Sequence, residues 1–78
     1  MREKQQWLVV TFYTTSAAMA AERACAQAGL EGRIIPVPRQ ITSDCGLGWR
    51  AQPQDREATE ALFTHLALEV DGYYTCLL

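Results

Sequence analysis

The chain has 78 residues, 49% hydrophobic and 21% charged, and its 7 Lys/Arg against 9 Asp/Glu give a formal charge of -2. That length holds one domain, read here as residues 1–78, and excludes a two-domain enzyme, while the charge offers no cationic surface for nucleic acid. A domain this small buries only roughly 60% of the surface its unfolded chain exposes, so a stability of about 5 kcal/mol is expected.

Trp7-Leu8-Val9-Val10-Thr11-Phe12 is β-branched and aromatic and reads as a first strand. Thr15 or Ser16 can cap a helix that begins at Ala17 and stops where Gly29 takes up a left-handed conformation. At 100° per residue Ala17, Ala18, Ala21, Ala24, Cys25 and Ala28 share one side of it, small enough to lie close to a sheet. Arg33-Ile34-Ile35-Pro36-Val37-Pro38 reads as a second strand that its prolines confine to an edge. A polar connection, Arg39 to Asp44, leads to a third strand over Cys45 to Ala51, weakened by its glycines. Pro53-Gln54-Asp55 opens a second helix, with Asp55 as cap and Ala58, Ala61, Leu62, His65 and Leu66 on its inward face, ending near Leu68. Glu69-Val70 and Tyr73 to Leu78, with Asp71-Gly72 between them, form a last strand carrying a bulge.

The order β-α-β-β-α-β is most economically closed as an α+β, ferredoxin-like fold: a four-stranded antiparallel sheet with both helices on one face. The other face must then be solvated or buried against a partner. Trp7, Trp49, Tyr73 and Tyr74 are candidates for that surface, which leads to the expectation of a homodimer through the open sheet face, although each ring taken alone reads more readily as packing in the single core.

The longest apolar stretches, Trp7 to Val10 and Ala17 to Ala21, fall short of the ~20 residues a membrane helix requires. The polar start, Met1 to Gln6, lacks the apolar run and cleavage site of a secretory signal, so a cytoplasmic protein is expected. Disulfides are disfavoured there, and three cysteines, Cys25, Cys45 and Cys76, cannot all pair within one chain. No two have CxxC spacing or a second His nearby, so neither a metal site nor a cofactor is expected.

The stretch Pro36 to Gly46 is the densest cluster of unusual residues. A cysteine followed by glycine at a loop-to-strand junction can present its sulfur to solvent, and the missing Cβ of Gly46 lets another molecule approach the backbone. Arg39 and Arg50 are the available cations, and Thr42 and Ser43 could donate hydroxyl hydrogen bonds to a sulfur anion, whereas Asp44 would oppose its charge. Cys45 could equally be a small buried apolar residue. Cys25 lies among alanines on the apolar side of the first helix and Cys76 between Tyr74 and Leu78, so both read as packing residues. His65 reads as a core histidine, not a base for Cys45. A thiol-dependent reductase pairing Cys45 with Cys76 would need their sulfurs within disulfide reach. Gly46-Leu47-Gly48 lacks the third glycine of a dinucleotide fingerprint.

Thr11-Phe12, the alanine-rich helix with Glu22, and above all Ile35-Pro36-Val37-Pro38-Arg39-Gln40-Ile41-Thr42-Ser43-Asp44-Cys45-Gly46-Leu47 resemble the selenium/sulfur carrier-like family. The resemblance covers nearly the whole chain, and its specific part is the V-P-R-x-I-[ST]-S-x-C-G segment, with Asp44 at a variable position where a small or polar residue is expected. It implies a βαββαβ domain that holds sulfur or selenium on Cys45 as a persulfide or selenopersulfide. The supporting loop would be Pro38, Arg39, Thr42, Ser43 and Gly46, and the partners would be sulfur or selenium donor and acceptor proteins. Such a carrier is not an enzyme and needs no base of its own, because its partners supply the activation. The alternative is a ferredoxin-like interaction or regulatory module in which Cys45 is structural.

Overall fold

Leu8, Val10 and Phe12 leave one side of the first strand and Val9 and Thr11 the other, and all five are fully buried. Alternation of that kind on a strand sealed on both sides places it inside a sheet with two covered faces. The computed structural model describes residues 4–41 and 43–78. The elements are β1 (Gln6–Phe12), α1 (Thr15–Ala28), β2 (Arg33–Pro36), β3 (Leu47–Ala51), a 3-10 turn (Pro53–Asp55), α2 (Arg56–His65) and β4 (Val70–Leu77). The strands form one antiparallel sheet in the order β2-β3-β1-β4. This is the ferredoxin-like α+β fold that the element order implies.

One face, the front, meets the helices. Leu8, Val10, Phe12, Trp49 and Ala51 from the sheet pack with Ala17, Ala18, Ala21 and Cys25 of α1 and Phe63 of α2. The Phe12 and Phe63 rings meet edge-on, centroids 6.0 Å apart. Trp49 and Tyr73 belong to this side and not to the open face. Trp49 stands opposite Val10 and Ile34, and Tyr73 opposite Val10, and directly paired residues share a face.

The small residues of α1 let it settle on the sheet with Ala17, Ala18, Ala21, Ala24 and Cys25 buried, while Ala28 is exposed. Its cap is Thr14, not Thr15 or Ser16: Thr14 is still extended, at φ -134 and ψ 154, and its hydroxyl oxygen accepts the Ala17 amide at 3.1 Å. At the other end Gly29 takes φ 75, the Leu30 amide reaches back to the Cys25 carbonyl at 2.9 Å, and Leu30 closes against the core.

Helix α2 turns a different face inward from the one its spacing suggests. Thr59 and Phe63 are buried and Leu62 half-buried, whereas Ala58, Ala61, His65 and Leu66 are exposed. The bulk of Phe63 sets the helix rotation, because its ring gains more by burial than two alanines and a histidine. Asp55 stands at the cap position but makes no capping bond, the chain entering α2 through the 3-10 turn instead. The helix ends at His65, short of Leu68, in a turn where Ala67 takes φ 55 and the Leu68 amide bonds the Phe63 carbonyl at 3.0 Å.

The expected bulge in β4 is present. Thr11 pairs with Gly72 and Phe12 with Val70, which leaves Asp71 unpaired, and its carboxylate accepts the Thr11 hydroxyl at 3.3 Å. Strand β2 lies at the sheet edge and stops at Pro36, two residues early, and β3 starts at Leu47 and not at Cys45. Among the described residues no helix is long and apolar enough to cross a membrane.

Candidate functional site

The hairpin from β2 to β3 is closed by Pro36 opposite Leu47, beyond which the Val37 amide bonds the Gly46 carbonyl at 2.9 Å. Residues 37–46 therefore form a loop tied at its base. Its first half lies over the back of the sheet. Ile41 is buried there with Val9 and Cys76, and Ile35, Val37 and Leu78 surround the three. A local turn, with the Ile41 amide bonding the Pro38 carbonyl at 3.0 Å, aims Ile41 inward and leaves Arg39 and Gln40 exposed. The open face is thus covered in part by the chain itself. Beside this cover the Arg50 guanidinium stacks over Trp7, 4.1 Å from the ring centroid, and Tyr74 remains 38% exposed.

The loop then rounds the end of the sheet. Ser43 donates its hydroxyl to the Phe12 carbonyl at 3.2 Å, fixing the loop where β1 gives way to α1. Its hydroxyl is therefore engaged with backbone and not with the thiol. Thr42 lies outside the described residues. Asp44 is exposed, and Cys45 comes to rest on the front, half-buried against the margin of the helix-side core. Its sulfur lies 3.5 Å from both the amide nitrogen and the carbonyl oxygen of Leu47. A thiol uses both contacts. A thiolate keeps the amide as a charge-assisted donor and loses the carbonyl, so the Leu47 amide is the group placed to receive negative charge on sulfur.

Gly46 makes this turn possible. Its φ is 76, a region that residues with a Cβ rarely adopt, and a Cβ built there would meet nothing within 4 Å. The ground beside Cys45 is open. The other thiols differ: Cys25 is fully buried and burial pushes it up to about 11, while Cys76, 8% exposed, is also raised by burial. All three cysteines are free.

The structure separates the remaining candidates. Cys76 pairs with Trp7 near the start of β1, whereas β3 pairs Gly48 with Thr11 near its end, and Cys45 lies further out. Four strand residues alone span about 13 Å, and the two thiols sit on opposite sides of the sheet. A Cys45–Cys76 disulfide, whose Cα atoms must approach within about 7 Å, does not fit this fold. His65 is exposed on α2 and not in the core. Among the described residues no cluster of His, Cys, Asp and Glu could hold a metal ion.

Residues 8–75 match the family described as "Putative Se/S carrier protein-like". The chain belongs to this Se/S carrier-like family. The match runs from within β1 to within β4 and takes in every element between them, together with the loop and Cys45. No curated protein and no solved structure shows significant similarity to the chain.

Two features of this Se/S carrier-like site are missing from the supporting residues that the sequence suggests. Ile41 is the loop's anchor, and its signal in the sequence is a lone branched apolar residue in an otherwise polar run. The Leu47 amide is a backbone group and leaves no signal of its own beyond the glycine that turns it toward the sulfur.

Proposed function

We propose that the protein is a non-enzymatic, cytoplasmic carrier that holds sulfur or selenium on Cys45 as a persulfide or selenopersulfide between a donor and an acceptor protein. The observation that carries this reading is the contrast among its thiols: the cysteine in the family's motif is half-exposed beside open ground at Gly46, and the other two are buried. In loading, the Cys45 thiolate attacks the terminal sulfur of a donor persulfide, the new S–S bond forms, and the donor's inner sulfur leaves as thiolate. In unloading, an acceptor nucleophile attacks the outer sulfur and Cys45 leaves as thiolate. The Leu47 amide favours the anion in both steps. Open space at Gly46 gives the attacking sulfur a path, and Ser43 and the Pro38 turn hold the loop in place.

Incubation with glutathione persulfide tests this directly by intact mass. The expected result is one added sulfur that dithiothreitol removes and that Cys45→Ser never acquires. If Cys45 takes neither sulfur nor iodoacetamide until the protein is denatured, the thiol is structural and the interaction-module reading replaces this one.

A further inference from the structure

The two edges of the sheet are built differently. Strand β2 spans four residues and carries Arg33 and Pro36, with Pro38 just beyond, devices that discourage pairing with another strand. Strand β4 at the opposite edge runs eight residues, Val70–Leu77, and from Gly72 onward has neither a proline nor a charged side chain. Tyr74 and Leu77 on it are 38% and 56% exposed.

The hydrogen-bond phase of this edge is fixed. Gln5 and Leu78 exchange both backbone bonds, at 3.2 and 3.0 Å. Along an antiparallel ladder such pairs recur at every second residue, so Cys76, Tyr74 and Gly72 also direct their amides and carbonyls toward β1. Tyr73, Thr75 and Leu77 direct theirs away from the sheet. Among the described residues no loop or cap supplies these groups with partners.

We propose that this edge pairs with the same edge of a second copy, antiparallel about a twofold axis through Thr75, giving a continuous eight-stranded sheet. The register is self-complementary. Tyr73 of one copy faces Leu77 of the other, Thr75 faces Thr75, and each outward amide finds an outward carbonyl. Tyr73 and Leu77 lie on the front, so the most exposed apolar side chain of the strand closes against a tyrosine ring. The dimer that the composition suggests thus forms through β4 and not through the open face, and it leaves the Cys45 loop uncovered.

Sedimentation and amide exchange in the presence of reductant test this. The wild type should pass from monomer to dimer with concentration, and the Tyr73, Thr75 and Leu77 amides should become protected in step while Tyr74 and Cys76 stay unchanged. Thr75→Pro removes an outward amide without touching the ladder to β1, and Thr75→Lys sets two like charges against each other across the axis. Either should remain monomeric with wild-type circular dichroism, and if the proline variant does not fold the lysine variant decides. A wild type that stays monomeric to about 1 mM, or a dimer that survives in the folded variant, overturns the proposal.

Discussion

The two faces of the sheet are held by different kinds of structure. The front is sealed by two helices that bring Phe63, Cys25 and a row of alanines onto Leu8, Val10, Phe12 and Trp49. The back is sealed over Val9 and Cys76 by Ile41 from an irregular loop, with Val37 of the same loop, Ile35 and Leu78 packed around it. Helical cover comes from segments that carry no candidate chemistry, and Cys45 meets this front core only at its margin. The loop that covers the back with Ile41 also carries Cys45 round to the front margin, so the packing of the back and the site are made from the same ten residues, 37–46.

Substitutions on either side put that contrast to the test. Phe63→Ala should cost about 4 kcal/mol, most of what a domain of this size has, and urea denaturation should find the midpoint moved close to zero denaturant. A loss below about 1 kcal/mol would mean that α2 does not hold the front core.

Alkali probes the front differently. Cys25 ionises near 9.0 when unfolded and at about 11 when buried in the folded chain. The folded state therefore keeps the proton longer, and the stability this confers is complete below pH 9 and lost as pH rises toward 11. Burial raises Cys76 and Tyr73 in the same direction. For Cys25 the expected loss is about 2–3 kcal/mol. Thermal midpoints between pH 8 and 11 should fall for the wild type and fall less for Cys25→Ala.

On the back, Ile41→Ala should cost about 2 kcal/mol and also raise the rate at which iodoacetamide labels Cys45, below any denaturing temperature. An unchanged labelling rate with that loss of stability would uncouple packing from site. The smallest effect lies at the turn after α2, where Ala67 holds φ 55. Ala67→Gly relieves that conformation and should raise stability by about 0.5–1 kcal/mol, with Cys45 labelling unchanged.

Much of this architecture is legible in the chain. The alanine period of α1 marks its buried side because no larger residue competes, and the Asp71-Gly72 pair marks the bulge because neither residue suits a regular strand. The inward face of α2 is not legible. Ala58, Ala61, Leu62, His65 and Leu66 make an acceptable stripe on spacing, and only contact with Phe12 shows that Phe63 governs the rotation. At the site, the motif directs attention to Cys45 and Gly46, but hydroxyls near a thiol in sequence do not identify their acceptors. Ser43 finds the end of β1, a partner 31 residues away. The path of a loop across a sheet is a tertiary fact, which local pattern does not encode.

Two indoles stand on opposite sides of this molecule: Trp49 sealed at the front, 2% exposed, and Trp7 beneath the Arg50 guanidinium at the back. A soluble quencher such as acrylamide can collide with the second and not the first. The chain's own fluorescence therefore divides into a silent reference and a reporting component, so traffic across the loop-covered side could be followed by light, without a dye and without occupying a single thiol.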